Sequence, residues 1–391
     1  MREVYADHAA TTPPLPEVIE AMRPYLGESF GNASSVHRRG EAARDAIDRA
    51  RAQVAQLIGA LPEEIVFTAS GSEANNLALQ GVLAGATGER RRLVISAIEH
   101  PSVLETARHL ESRGVPLTIV PVEPNGIVDP ARVASALGPD VALVSIMYVN
   151  NEIGTVQPIA EIAALARAAG ARMHCDAVQA AGKLPIDVSA LGPDLLSLAG
   201  HKLGGPLGAA TLSVRRRLRL VPLVLGGHQE RSRRAGTENL PAIVGLGVAA
   251  RLAAAHVQSD APRRLAGLAK RLGIGLLAIE GTRLNGDAER RAPGIVNLCF
   301  TGVDGEAVLH ELDREGITVS TGSACSAATP GPSHVLLALG LRPEDAHASV
   351  RFSLGEGSEA ADVESILAIT PVVIERLRAL DRRPVERSAQ A

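Results

Sequence analysis

A lysine and a cysteine carry most of the chemistry this sequence offers. Lys202 lies in Ser197-Leu-Ala-Gly-His-Lys-Leu-Gly-Gly-Pro206, after an apolar run that reads as a strand ending and before a glycine-rich turn. A lysine amine withdrawn from water there loses part of the hydration that favours its ammonium form, and becomes a nucleophile able to condense with an aldehyde. Cys325 sits in a contrasting setting, the small-residue stretch Ser320-Thr-Gly-Ser-Ala-Cys-Ser-Ala-Ala328, with no apolar periodicity that would bury it. The first residue is suited to holding a carbonyl cofactor and the second to moving. The pair suggests sulfur chemistry on a Schiff base.

Further polar residues fall where short apolar runs end. Ser70-Gly-Ser-Glu73 opens a helical run through Leu77, Leu79 and Leu83. A helix N-terminus with small residues suits a phosphate, although an ordinary N-cap reads the same way. His100 ends the next run, either as a cap or as a catalytic group. Asp176 ends another, with Gln179 three residues on. A carboxylate there could keep a heteroaromatic nitrogen protonated, or could cap a helix. Asn150-Asn-Glu-Ile-Gly154 offers amide hydrogen bonds or a plain turn. No metal-ligand spacing, P-loop or nucleophile elbow is present.

The elements that must position these groups alternate between two periods. Ala43, Ile47, Ala50, Val54, Leu57 and Ile58 recur at helical spacing. Strand candidates follow at 65–67, 93–95, 117–120, 141–146, 173–175, 195–198 and 209–212, with helical stretches such as 101–113 and 159–169 between them. Apolar strands alternating with helices predict an α/β fold whose mainly parallel sheet is covered on both faces. Ligands of such sheets collect beyond the carboxyl ends of the strands. After about residue 258 the pattern changes to a smaller α+β unit. The expected division is 12–257 for the large unit, and 1–11 with 258–391 for the small one carrying the cysteine segment, about 321–334. The tail from Arg382 is polar.

With 391 residues the chain can bury two sizeable cores. A formal net charge of −3 argues against direct nucleic-acid binding or a membrane surface, and runs such as Arg215-Arg-Arg217 read as solvated faces. No uninterrupted apolar stretch approaches a membrane span of about 18 residues, and the N-terminus does not read as a signal peptide, so a cytoplasmic location is expected. The chain has 3 cysteines, an odd number without a C-x-x-C pair, which predicts neither a disulfide framework nor structural zinc. Cys175 and Cys299 lie in strand-like runs and read as small buried hydrophobes.

Taken together, the segments resemble the cysteine desulfurases, pyridoxal 5'-phosphate enzymes of the class V aminotransferase fold (fold type I). The matching pieces are Tyr5-Ala-Asp-His-Ala-Ala-Thr-Thr-Pro13, Gly31-Asn-Ala-Ser-Ser-Val-His37, Gly71-Ser-Glu73, Glu99-His100, Val149-Asn-Asn-Glu-Ile-Gly154 and Asp176-Ala-Val-Gln179. They continue with Gly200-His-Lys202, Arg234-Ala-Gly-Thr-Glu-Asn239, Ser323-Ala-Cys325 with Pro332-Ser-His-Val335, and Arg351-Phe-Ser-Leu-Gly355. The long cysteine segment resembles group I, with its extended mobile loop.

The resemblance implies that Lys202 carries the cofactor and moves protons, Asp176 pairs with its pyridine nitrogen, Gln179 bonds its phenolic oxygen, and His100 stacks on its ring. Gly71, Ser72 and His201 would bind the phosphate, with Thr237 reaching in from the other subunit of a homodimer. Asn151 and Arg351 would hold the carboxylate of L-cysteine. Cys325, with His100 or the substrate amine as proton acceptor, would take the sulfur as a persulfide for an acceptor protein, either an iron–sulfur scaffold or a thiolation enzyme. Three departures stand out. Ala199 replaces a serine that donates to the phosphate, His8 stands where asparagine is frequent, and Ser72 replaces threonine. The C-terminus is also shorter than in relatives that dock an iron–sulfur scaffold. Competing expectations are a selenocysteine lyase, another enzyme of the fold, and a sulfur-relay protein without catalysis.

Overall fold

Apolar residues alternate between two faces along the short strands, and this alternation sets where they lie. The computed structural model describes residues 3–86, 88–321 and 331–381. After β1 (Val4–Tyr5) come β2 (Ile65–Thr68), β3 (Arg92–Ser96), β4 (Leu117–Val120) and β5 (Val141–Ser145). They are followed by β6 (Arg172–Asp176), β7 (Leu195–Ala199) and β8 (Ala210–Val214). Strands β2 to β8 form one sheet in the order β2-β8-β7-β6-β5-β3-β4. Leu93, Ile95, Leu143 and Leu195 face one apolar cluster, while Val94, Val144 and Leu196 face another. Successive strand side chains point to opposite faces, so helices must cover both. Leu77 and Leu79 of the Gly71–Gly85 helix do so on one side, and Ile47 and Val54 of the Arg38–Ile58 helix on the other.

The sheet is parallel except at β8, which runs antiparallel to both neighbours. The link from Ala199 to Ala210 holds only a 3₁₀ turn, too short for the crossover helix a parallel return needs. The Leu240–Gln258 helix corrects the expectation that nothing reaches membrane-spanning length, because by length and composition it does. More than half of it is buried in the fold. Its small residues let it lie close against the Arg38–Ile58 helix: a Cβ on Gly247 would come within 2.6 Å of Ala50 Cα.

A second core forms later in the chain. Strands β9 (Thr282–Asn285), β10 (Ile295–Phe300) and β12 (Ser349–Ser353) make an antiparallel sheet in the order β12-β10-β9, and β11 (Ile317–Thr318) pairs in parallel with β1. Phe300, Phe352, Leu272 and Ile366 centre this core, and Val4 and Ala6 belong to it. Single bridges from Asp7 to Ser353 and from Ser320 to Arg351 join the two small sheets.

One buried ion pair closes an edge of the large sheet. Glu230 takes two hydrogen bonds from Arg51, each 2.8 Å, and a third of 2.8 Å from the Phe67 N–H, while Arg51 Nη1 donates to Ile65 O at 2.9 Å. The exposed polar groups of β2 are thereby satisfied. The same contact holds Glu230, Arg231 and Ser232 at φ of 45°, 57° and 62°, a left-handed run that non-glycine residues adopt only under constraint. Replacing Glu230 by Gln leaves Arg51 buried without its counter-charge. Urea denaturation should show a loss of roughly 3 kcal/mol, as for other broken buried pairs.

Candidate active site

Strand register brings the polar groups together. β6 and β7 are neighbours with Asp176 opposite Ser197, so Asp176 and the turn after Ala199 share the carboxyl rim of the sheet. A cavity of about 350 Å³ opens there. Its walls include Gly71, Ser72, His100, Asn151, Asp176, Gln179, His201, Lys202 and Arg351. Thr237 is exposed and does not line this cavity. Cys325 lies outside the described residues. Cys175 and Cys299 are both buried, as their strand positions predicted.

Lys202 ends a single 3₁₀ turn, Gly200–Lys202. A side chain at Gly200 would meet Ala209 O at 2.9 Å and Pro206 O at 3.0 Å, so the turn admits only glycine. Lys202 Nζ donates to Ala9 O at 2.5 Å and Ala10 O at 2.6 Å. The neighbouring His201 Nδ1 is 3.2 Å from Thr11 Oγ1. Burial, then the charge of Lys202, push the His201 pKa down to about 4, so the ring is neutral near pH 7.

A side chain that the motifs did not single out links the other two main groups. Buried Asn75 donates to Asp176 Oδ2 at 2.7 Å and to Ser102 Oγ at 2.9 Å, and Ser102 Oγ lies 2.7 Å from His100 Nδ1. His100 Nδ1 also accepts from the Ser102 N–H at 3.1 Å, as N-cap of the Pro101–Ser112 helix. An Nδ1 that accepts leaves the ring proton on Nε2. Burial lowers the pKa of His100, opposed by Asp176 and helped by Lys202. Asp176 Oδ1 accepts from the Val178 N–H at 3.0 Å, so this carboxylate caps a turn and faces the cavity at once.

Arg351 is 2% exposed. Its Nη2 donates to Asp7 Oδ1 at 2.7 Å and its Nη1 to Asn151 O at 2.9 Å. Asp7, rather than a ligand, is the carboxylate it meets here. On the C-terminal side of the cysteine segment, Ser333 Oγ donates to Glu152 at 2.5 Å, and His334 Nε2 lies 2.9 Å from Glu99 O. Glu99 accepts from Ser96 Oγ at 2.5 Å and from the Met147 N–H at 3.0 Å. Burial raises the pKa of Glu99 to about 8 and that of Glu152 to about 7.

The donor set defines what the cavity can hold. The Gly71–Gly85 helix starts at the cavity, and the first-turn N–H groups of Gly71 and Ser72 have no acceptor within the helix. With His201 and Lys202 nearby they suit a phosphate. A lysine amine suits an aldehyde, and the Asp176 carboxylate suits a protonated ring nitrogen. Asn75, Asp7, Lys183, Glu99 and Glu152 are the site groups that sequence reasoning missed. Asp7, Glu99 and Glu152 do fall inside quoted motifs, and those motifs were their available signal.

Residues 4–366 match the family described as Aminotransferase class-V. A protein of Methanosarcina thermophila described as cysteine desulfurase IscS is 45% identical over 377 residues, covering 96% of this chain and 93% of the relative. A solved NifS-like protein superposes with a TM-score of 0.90 at 31% identity, covering 96% of this chain and all of the other. The solved structure of SspA in complex with cysteine gives a TM-score of 0.80 at 38% identity, over 90% of this chain and 98% of that one.

Two predictions follow from the geometry. A carboxyl whose folded pKa is raised keeps its proton above the pH at which the unfolded chain loses it, so stability falls as pH rises between those values. For Glu99 the window runs from the ordinary glutamate value of 4.5 to about 8. Glu99→Gln should flatten this decline in chemical denaturation, gaining on the order of 3 kcal/mol relative to wild type between pH 5 and pH 8. Ala199 lines the cavity beside Gly71 and is 2% exposed. Ala199→Ser should add one donor and tighten phosphate-bearing ligands by about 3- to 10-fold in equilibrium titration.

Proposed function

The chain belongs to the class-V aminotransferase family, and from that premise we propose that it is a pyridoxal-phosphate-dependent cysteine desulfurase. It converts L-cysteine to L-alanine and leaves the sulfur as a persulfide on Cys325 for delivery to an acceptor thiol. The observation that carries this reading is the convergence of nine candidate residues, from Gly71 to Arg351, on one cavity at the carboxyl rim of the sheet. The full-length similarity to proteins described as cysteine desulfurases supports it. The relative solved with cysteine supports the substrate class.

Pyridoxal phosphate, when bound, supplies an electron sink for the substrate carbon next to the amino group. The chain's residues do the rest. Gly71, Ser72 and His201 hold the phosphate, Asp176 the ring nitrogen, Gln179 the phenolic oxygen, and His100 covers the ring. Lys202 Nζ would hold the aldehyde carbon of the cofactor and would carry a proton to and from the substrate Cα. Arg351 and Asn151 orient the substrate carboxylate by charge-assisted hydrogen bonds. Cys325, as thiolate, attacks the substrate sulfur. The S–S bond forms as the Cβ–S bond breaks, and the electron pair of that bond stays with the carbon skeleton that leaves as alanine. His100 or the substrate amine takes the thiol proton. Thr237, exposed on this subunit, completes the phosphate site of a second subunit in a homodimer. The division into a cofactor-holding unit, 12–257, and a smaller unit, 1–11 with 258–391, belongs to the same reading.

The test is the stoichiometric release of alanine from L-cysteine. Cys325→Ala should reduce turnover by about 100-fold or more with cofactor binding retained, and Lys202→Ala should abolish the visible absorbance of the bound cofactor. Full turnover in Cys325→Ala would remove the persulfide step. A large preference for selenocysteine would move the assignment to a selenocysteine lyase.

A further inference from the structure

We propose that Lys183 is a positioning residue of this site: it locks the side-chain amide of Gln179 in the orientation that turns its N–H bonds toward the Ala9 carbonyl, which Lys202 shares, and toward the cavity where the cofactor would lie. The proposal rests on the functional reading above and adds a residue which that reading does not use.

Lys183 follows the series of turns after β6, at the end of the segment that begins with Asp176. Its Nζ donates to both oxygens of Gln179, to the backbone carbonyl at 3.1 Å and to Oε1 at 3.0 Å. Gln179 Nε2 then donates to Ala9 O at 2.7 Å, and Ala9 O is the same oxygen that accepts from Lys202 Nζ. A continuous path therefore runs from one lysine to the other through one amide and one carbonyl.

The direction of that path is fixed by chemistry. In its charged form the Lys183 head only donates, so it requires the oxygen of Gln179. Rotating the amide by half a turn would set its NH₂ against the lysine and its oxygen against Ala9 O. Both contacts would become repulsive. Without Lys183 the Ala9 carbonyl alone would select between the two orientations, so the preference would weaken, and only the native one donates to an acidic oxygen in the cavity.

A purely structural role explains Lys183 poorly. Its hydrogen bonds run to neutral oxygens of one residue, while Lys202 and Arg351 act on it as like charges, and its own charge acts on His8 in the same way. Burial is the first cause, and these neighbours the next, of a lowered Lys183 pKa, about 7. A buried amine among cations does not help the fold, so its placement points to the site.

A double-mutant cycle on the full-length protein tests this. The apoprotein is titrated with pyridoxal phosphate, and the visible spectrum of the saturated protein is recorded for wild type, Lys183→Met, Gln179→Ala and the double variant. Lys183→Met should raise the Kd by about 10-fold and shift the visible band, since the donor to the phenolic oxygen is no longer held. In the Gln179→Ala background the same change should alter Kd by less than about 2-fold and leave the band in place. Lys183→Arg, which keeps a donor-only cation, should stay within about 3-fold of wild type. Equal effects of Lys183→Met in both backgrounds, or none in either, would overturn the proposal. Melting curves establish that each variant is folded. Lys183→Gln, whose head can donate or accept, serves where Lys183→Met does not fold. A wild-type protein that fails to bind pyridoxal phosphate would instead remove the functional reading on which this inference stands.

Discussion

Buried positive charge at the carboxyl rim of the sheet is the constraint around which the rest is arranged. Lys183, Lys202 and Arg351 meet within one region, and a cation taken out of water is costly unless oxygen surrounds it. The chain answers mostly with backbone carbonyls. Ala9 and Ala10 receive Lys202, Asn151 receives one arm of Arg351, and Asp7 receives the other. Residues 7–10 belong to no long strand or helix, yet Ala9 is almost fully buried. Their place is explained by the charges they satisfy.

The same N-terminal segment connects the two cores. Ala6 lies in the smaller apolar cluster, and Asp7 bridges to Ser353 while its carboxylate holds Arg351 of β12. Two residues on, Ala9 O accepts from groups carried by the large sheet. Arg351 and Lys202 come from different cores, and this short stretch spans the gap between them.

Much of this was legible in the sequence, for identifiable reasons. Lys202, Asp176, Gln179 and His100 sit where periodicity ends, and the ends of parallel strands are where a ligand must bind. The direction of β8 was not legible, because apolar alternation carries no sign; the short link before it was the only clue. β9, Thr-Arg-Leu-Asn, was missed because it is largely polar and only partly buried at the edge of its sheet. Asn75 and Lys183 lie on a helix and a turn with unremarkable local patterns, and Glu152 lies in a quoted motif whose spacing does not tell it from its neighbours. Asn75 meets Asp176 at a separation of 101 residues, and Ser333 meets Glu152 at 181. Such contacts are properties of the fold and leave no trace in spacing.

Protonation then decides what the site prefers. His100, His174 and His201 are all pushed toward their neutral forms by burial, and His174 is held between Ser145 and Ser197 with a pKa of about 4. At pH 7 Glu99 remains protonated, and Glu152 is close to half protonated. The histidines thus contribute neutral hydrogen-bonding groups, and the glutamates little negative charge. What remains is a set of cations set against Asp7 and Asp176, together with a helix N-terminus. Such a field favours ligands with more than one negative group. A phosphate and a carboxylate entering together would supply the anions that the fold itself provides only in part.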